Sequence, residues 1–563
     1  MFKSLPQRLV RLLRLARADQ RGAIAVQFAL LLIPIAIITF GLIDISRVSV
    51  QKRQMQDALD AATLMAARSS ATTNDGLYGV GYAALQTELS GTGVTLGPSN
   101  VAFVLGDQNT VVGSITDVKI MPIISNLWST GDSLVSASST VSRSVNKLEV
   151  ALVLDNTGSM GSKLGTTSQT KIAALTTASQ SLVNTLSAAA ARASETDAVK
   201  ISVVPFSMTV NIGSTYQGQT SWLVGKMPPG YGSGTDIFAT SQDRFSLLSG
   251  LGLTWSGCVE SRPAPYDVTD ASPNSAIANS MFIPFFAPDE PDDNVVNTTT
   301  SSSSTKYRDV RVVSNTSYPI NNNWLPDQST VAGTQATAWA TRSQNVTKYD
   351  KAYKSSVYSG AKTGTAYGPN AGCGLTSLLR LTNVRTAAET SKVNAKLGQM
   401  VASGNTNVAM GLMWGWHTLT PNAPFNDGAA YNTRNLTKVI VLLTDGDNTN
   451  DVTNNPNKSI YTGYGYIGQG RLKDKNGAAL TTASSATDRL NAIDSREALV
   501  CSNARAAGIV IYSIGVGVSP HSRDILKACA TQADMYYDVT DAAQLTSVFN
   551  TIAGSIQNLH ITR

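Results

Sequence analysis

Hydrophobic positions along the chain follow three rhythms. The first is an unbroken apolar run from Ala23 to Ile43, AIAVQFALLLIPIAIITFGLI, with Gln27 and Thr39 its only polar side chains. At about 1.5 Å per residue this run spans roughly 30 Å, the depth of a hydrocarbon core. Pro34 and Gly41 are compatible with a membrane helix. Ile45, Val48, Met55, Leu59 and Ala62 then recur at helical spacing to about Arg68, with Gln51, Lys52, Arg53, Gln54 and Gln56 on the wet side. The pattern predicts a transmembrane helix over 23–43 that continues as an amphipathic helix to 68.

The second rhythm is a set of short alternating runs within 75–142. They begin at Gly93, Asn100, Asp117 and Ser133 and are separated by turn residues. They predict a small β-rich module. The third rhythm is near-continuous apolar runs, the mark of strands buried on both faces of a parallel sheet. These are Leu148–Leu154, Val199–Phe206, Lys438–Leu443, Ile509–Gly515 and Met535–Val539. Helical patterns fall between and after them at about 168–190, 495–507 and 542–558. The alternation predicts an α/β fold with a mostly parallel sheet flanked by helices. It occupies 145–213 and 395–563, split by an insertion over 214–394. That insertion is rich in aromatics, including Trp222, Trp255, Phe282, Phe285 and Phe286, and reads as having a modest core of its own. Its tract from Asn294 to Thr305, NVVNTTTSSSST, is too polar for a core and reads as an exposed loop.

Charge sharpens the topology. The formal net charge is +6, but Lys3, Arg8, Arg11, Arg14, Arg17 and Arg21 precede the apolar run with only Asp19 against them. Nearly all the surplus therefore sits in residues 1–22, and no basic stripe remains for nucleic acid. Bases before the run predict a cytoplasmic N-terminus, with everything after the helix on the other side. No small-residue cleavage site follows the run, where Asp44-Ile45-Ser46-Arg47 stands, so the helix reads as retained.

Candidate chemistry lies at the carboxyl ends of the strands, where open α/β sheets bind ligands. Asp155-Asn156-Thr157-Gly158-Ser159 follows the first strand. Gly404-Asn405-Thr406-Asn407 precedes a mid-domain helix, and Thr444-Asp445-Gly446 follows the Lys438 strand. Asp155, Thr157, Ser159, Thr406 and Asp445 are all hard oxygen donors. Two carboxylates, three hydroxyls and no His or Cys point to Mg²⁺, or Mn²⁺ or Ca²⁺, rather than zinc. Taken singly, each cluster could be only a helix cap or a turn. Neither a nucleophile elbow nor a phosphate loop is complete here, and no enzyme signature is found.

This arrangement resembles the metal-ion-dependent adhesion site of von Willebrand A domains, whose D-x-S-x-S, single Thr and T-D-G motifs match Asp155/Thr157/Ser159, Thr406 and Asp445. Thr157 departs from the usual Ser but keeps the hydroxyl. The resemblance implies a Rossmann-like von Willebrand A fold in which the ion keeps a position open for an acidic side chain of another protein. The N-terminal stretch RGAIAVQFALLLIPIAIITFGLIDISR resembles the TadE/TadG proteins of Flp (tight-adherence) pilus assembly. Prepilins of that broad class place Glu five residues after the processed Gly; here the position is Gln27, which favours a permanent anchor over processing at Gly22. Together these imply a single-pass protein of a bacterial inner membrane with periplasmic C-terminal domains. Its expected partners are pilus-assembly or pilus components. The alternatives are a surface adhesin binding host or envelope ligands through the same site, and an envelope enzyme with its pocket in the insertion.

Cys258, Cys373, Cys501 and Cys529 all follow the membrane run, and an even count in an exported chain suggests two disulfides. Three pairings are possible. Cys501 and Cys529 fall on consecutive helices flanking one strand, which favours that pair and leaves Cys258–Cys373 to brace the insertion.

Overall fold

The computed structural model describes residues 20–69, 71, 73–106, 110–120, 133–142, 147–165, 168–193, 195–233, 236–238, 241–290, 322, 346, 349, 368–453, 455 and 457–559. Most of the basic leader and the Asn294–Thr305 tract lie outside them. The chain forms two compact units, residues 1–144 and 145–563.

The first unit opens with α1 (Gln20–Arg68), a helix of 49 residues that passes through Pro34 without interruption. Its apolar half is bare: Phe28, Leu30, Leu31 and Ile38 are all exposed, and the helix from Gln27 is long and apolar enough to cross a membrane. Ile45, placed on the sheltered stripe by spacing, is exposed as well. Asp44 is buried, but the helix's buried apolar residues begin lower down, at Met55, Leu59, Ala62 and Ala66. These pack on α2 (Asn74–Glu88) and on an antiparallel sheet of β1 (Val101–Gly106), β2 (Thr110–Ile120) and β3 (Ser133–Ser142). Helix α2 is an element that the β-rich reading of this region does not include. Thr73 caps it by accepting a bond from Gly76 N–H, and Leu77, Gly81, Ala84 and Leu85 bury against the sheet. A Cβ at Gly81 would meet the Phe103 ring at 2.6 Å, so the close approach of helix and strand requires glycine there. The expected run at Gly93 forms no strand.

In the second unit the elements are β4 (Lys147–Asp155), α3 (Lys171–Arg192), β5 (Val199–Phe206) and the short β6 (Val210–Asn211). Next come α4 (Arg244–Gly250), the short β7 (Cys258–Val259), β8 (Leu379–Asn383), α5 (Ala387–Gly398) and α6 (Val408–Leu419). The unit closes with β9 (Leu436–Thr444), α7 (Ala486–Ala506), β10 (Val510–Val516), α8 (Pro520–Cys529), β11 (Tyr536–Val539) and α9 (Leu545–Leu559). The sheet runs β11-β10-β9-β4-β5-β6-β7, and β8 also pairs with β5. The five strands β11, β10, β9, β4 and β5 pair in parallel, while β6, β7 and β8 are antiparallel additions.

β4 lies at the centre and is buried on both faces, which is why its sequence is apolar without alternation. Val150, Leu152 and Leu154 face α3 and α9; Ala151 and Val153 face α6. Gly411 and Gly415 let α6 lie close to the sheet, since a Cβ at Gly415 would overlap the Val153 side chain. From β4 the chain crosses to β5 on one side and later returns to β9 on the other. The strand order therefore reverses at β4, and the crevice at the carboxyl ends of β4 and β9 is a switch point of the kind that binds ligands.

Several boundaries move. α3 begins at Lys171, not Ser168, because Thr170 caps it. α7 begins at Ala486 rather than Ser495, set by the capping box of Ser485 and Asp488. The insertion range 214–394 also needs correcting: β8 joins the main sheet, and α5 buries Val393 and Leu397 in the core shared with α3. Among the described residues the insertion keeps only a small cluster of its own, Met227, Tyr231 and Ile283, and most of its aromatics join the main core. Trp222, Trp255, Phe282, Phe286 and Tyr349 pack in one cluster with Phe206, Trp414 and Ile440 of the main domain. Disulfides join Cys258 to Cys373 and Cys501 to Cys529.

Candidate metal centre

Asp155 is the last residue of β4 and is fully buried. The ladder continues one step beyond it, with Asn156 N–H donating to Phe206 O at 2.8 Å. The chain then turns sharply, because Thr157 N–H donates back to Asp155 Oδ1 at 2.7 Å. Thr444, at the end of β9, donates its hydroxyl to Asp155 Oδ2 at 2.6 Å. Thr157 and Ser159 share a hydroxyl–hydroxyl bond of 2.9 Å, and Ser159 Oγ donates to Asp445 Oδ1 at 2.6 Å. Asp155, Thr157, Ser159, Thr444 and Asp445 thus form one hydrogen-bonded chain across the ends of two adjacent strands.

Thr406 joins this set through backbone. Gly404, in the left-handed region at φ 84°, accepts from Gly158 N–H at 2.9 Å, and Ser403 N–H donates to Asn156 O at 2.7 Å. Thr406 itself exchanges two bonds with Thr449, N–H to Oγ1 and O to N–H, both 2.9 Å. It is buried, and among the described residues its hydroxyl makes none of the bonds of the Asp155–Asp445 chain. Asn407 then caps α6 by accepting from Met410 N–H at 3.1 Å. The structure therefore brings four of the five expected donors into one bonded set and holds the fifth on an abutting loop.

Two residues of the set receive no role from the motifs, although one of them, Thr444, stands in Thr444-Asp445-Gly446. Thr444 carries the buried bond to Asp155. Lys171, the first residue of α3, places Nζ 2.8 Å from Asp445 Oδ2 with its side chain only 10% exposed. Thr444 opens its T-D-G motif, but the motif gives the donor role to Asp445. Lys171 lies next to apolar-face positions of an amphipathic helix and reads as a solvated charge until the fold brings it across 274 positions of sequence to Asp445.

Charge at the site is unbalanced. Burial pushes the Asp155 carboxyl up to about 6, the negative charge of Asp445 adds to this, and the hydrogen bonds from Thr157 and Thr444 work the other way. A cation shared by the two carboxylates would reverse the second effect. Asn156 Oδ1 is a further buried acceptor without a partner among the described residues. Among the described residues no group of three or more His, Cys, Asp or Glu is placed to hold a metal. A cation here would thus draw on hydroxyls as well as carboxylates, an all-oxygen donor set that fits Mg²⁺, Mn²⁺ or Ca²⁺. Access comes from one side, where Gly158 and Ser159 are exposed.

Residues 22–69 match a family model described as "Putative Flp pilus-assembly TadE/G-like". That match covers the N-terminal helix. No curated protein matches the chain. Among solved structures, the pilus adhesin SpaC from Lactobacillus rhamnosus GG is similar at 12% identity and TM-score 0.31, covering 82% of this chain and 35% of that one. The chain therefore spans about a third of the SpaC structure. The vWF domain of the type V pili tip protein Mfa5 from Porphyromonas gingivalis is similar at 11% identity and TM-score 0.31, covering 74% and 97%. The adhesive tip pilin GBS104 from Group B Streptococcus agalactiae is similar at 13% identity and TM-score 0.32, covering 73% and 100%. The fold described above rests on strand order and register, not on these likenesses.

Proposed function

We propose that this protein is a membrane-anchored, non-catalytic component of Flp/Tad pilus assembly whose second unit is a von Willebrand A domain that grips a protein partner through a divalent ion. Asp155, Thr157, Ser159, Thr406 and Asp445 would hold the ion, with Mg²⁺ the first candidate and Mn²⁺ or Ca²⁺ the others. When bound, the ion supplies a Lewis-acidic position for a partner's carboxylate. The chain's own residues do the rest. Asp155 and Asp445 provide the charge, the hydroxyls of Thr157 and Ser159 set the rim, and the Gly404–Thr406 loop closes the side next to β5. The basic leader keeps the N-terminus in the cytoplasm and puts the second unit in the periplasm, facing pilus-assembly or pilus components.

The observation that carries this reading is the continuous hydrogen-bonded chain of hydroxyls and carboxylates at the switch point of the sheet, from Thr444 through Asp155, the Thr157 N–H and hydroxyl, and Ser159 to Asp445. Co-purification from envelope membranes tests it. Pilus-assembly proteins should be retained by the wild-type chain with Mg²⁺ present and lost with chelator or in Asp155→Ala. Retention unaffected by either treatment would refute the proposal.

A further inference from the structure

Lys171 is the one positive side chain bonded to the site's carboxylates among the described residues. Its backbone is fixed: the N–H donates to Ser162 O at 2.8 Å, and Thr170 caps the helix that starts with it. Its ammonium meets a carboxylate whose side chain is fully buried. A buried lysine without such a partner would be strongly disfavoured, so the pair belongs to the folded state and is not a surface accident. The N-terminus of the 22-residue α3 adds positive potential at the same end.

We propose that Lys171 is a built-in counter-cation of the metal centre: it occupies Asp445 Oδ2, limits how tightly a divalent ion is held, and leaves the loaded site with a net positive charge. The proposal rests on the metal-dependent reading above. Two carboxylates and one ammonium leave a formal charge of −1, and a divalent ion takes it to +1. Without Lys171 the same ion would bring the site to zero. The residual charge is what an acidic side chain from a partner would neutralise. Lys171 thus shifts binding strength away from the ion alone and toward the ion together with an anionic partner group. It acts through Asp445 as a positioning and charge-setting residue.

The test is calorimetric titration of the full chain in detergent micelles with Mg²⁺ and with Mn²⁺, the metal alone being the probe. Lys171→Met keeps the aliphatic stem and removes the charge; Lys171→Arg keeps the charge. Lys171→Met should bind the ion about tenfold or more tightly than wild type, and its metal-free melting temperature should be lower. Lys171→Arg should stay within about threefold of wild type. A merely structural lysine would not produce tighter binding on removal, since a damaged site weakens. Lys171→Gln, read in the same way, serves if the Met variant does not fold. Wild-type binding with unchanged or weaker affinity in the charge-removed variants overturns this inference and leaves the metal reading standing. Absence of binding in wild type and in every variant overturns both.

Discussion

Two charged clusters in the second unit make an instructive pair. In one, Glu260 is enclosed by Arg244 and Arg471, which bond its two carboxylate oxygens, with Tyr461 adding a bond of 2.6 Å. Arg244 also donates to Pro284 O at 2.7 Å and Arg471 to Ser261 O at 2.8 Å. All three charged side chains are buried. In the other cluster, Asp155 and Asp445 face one ammonium, their hydroxyl partners have spare lone pairs, and Ser159 opens to solvent. The first is sealed and holds more positive than negative charge. It ties α4, β7 and the Arg471 segment together, as a brace does. The second holds surplus negative charge beside an opening. Burial and charge alone therefore do not distinguish a brace from a binding site. Uncompensated charge with access does.

The largest expected effect breaks the brace. Glu260→Ala leaves two guanidiniums buried without their carboxylate and should cost about 3–5 kcal/mol in denaturant unfolding, with or without Mg²⁺. A loss confined to Mg²⁺-containing buffer would mean that the two clusters are not separate devices. Next in size is Asp155→Ala. In wild type, Mg²⁺ at about a hundred times its Kd should stabilise the fold by about 2.7 kcal/mol, and this increment should vanish in the variant. Stabilisation of equal size in both proteins would remove Asp155 from the site.

A pH effect separates the clusters further. Asp155 has a raised pKa in the folded state, so between its ordinary value and about 6 the folded chain holds more protons than the unfolded one. Metal-free stability from this group is therefore lost as pH rises through that window, and Mg²⁺ should flatten the decline. Burial also pushes Glu290 and Glu497 up to about 8, and these extend the decline to higher pH. The Asp155 part is read as the difference between wild type and Asp155→Asn; identical pH profiles would contradict it. The smallest effect is Thr157→Ser, which keeps the hydroxyl and should change stability by no more than about 0.5 kcal/mol and leave Mg²⁺ affinity near wild type. A large loss would show that the Thr methyl shapes the site.

What was legible in the sequence followed local rules. The run Leu148–Leu154 announced a strand buried on both faces, and such a strand lies at the centre of the sheet. The apolar run Ala23–Ile43 announced the exposed helix. Helix α2 was missed because Gly76, Gly79 and Gly81 lower helix propensity, and one of them is demanded by Phe103 rather than by the helix. The insertion's aromatics looked like a separate core because local pattern cannot show that Phe282 and Trp414 sit with ring centroids 5.2 Å apart. At the site, motif spacing singled out residues of one type of donor. It gave no role to Thr444, though that residue stands in the T-D-G motif, and could not single out Lys171; their bonds to Asp155 and Asp445 span 289 and 274 positions.

On the proposed reading, the open, negatively charged cluster takes up a divalent ion and the sealed one does not. Calorimetric titration of Mg²⁺ into the 563-residue chain, compared with Asp155→Ala under the same conditions, is the decisive measurement. Wild type should show a single saturable binding event that is absent from the variant. Equal heats in the two proteins, or none in either, would contradict it.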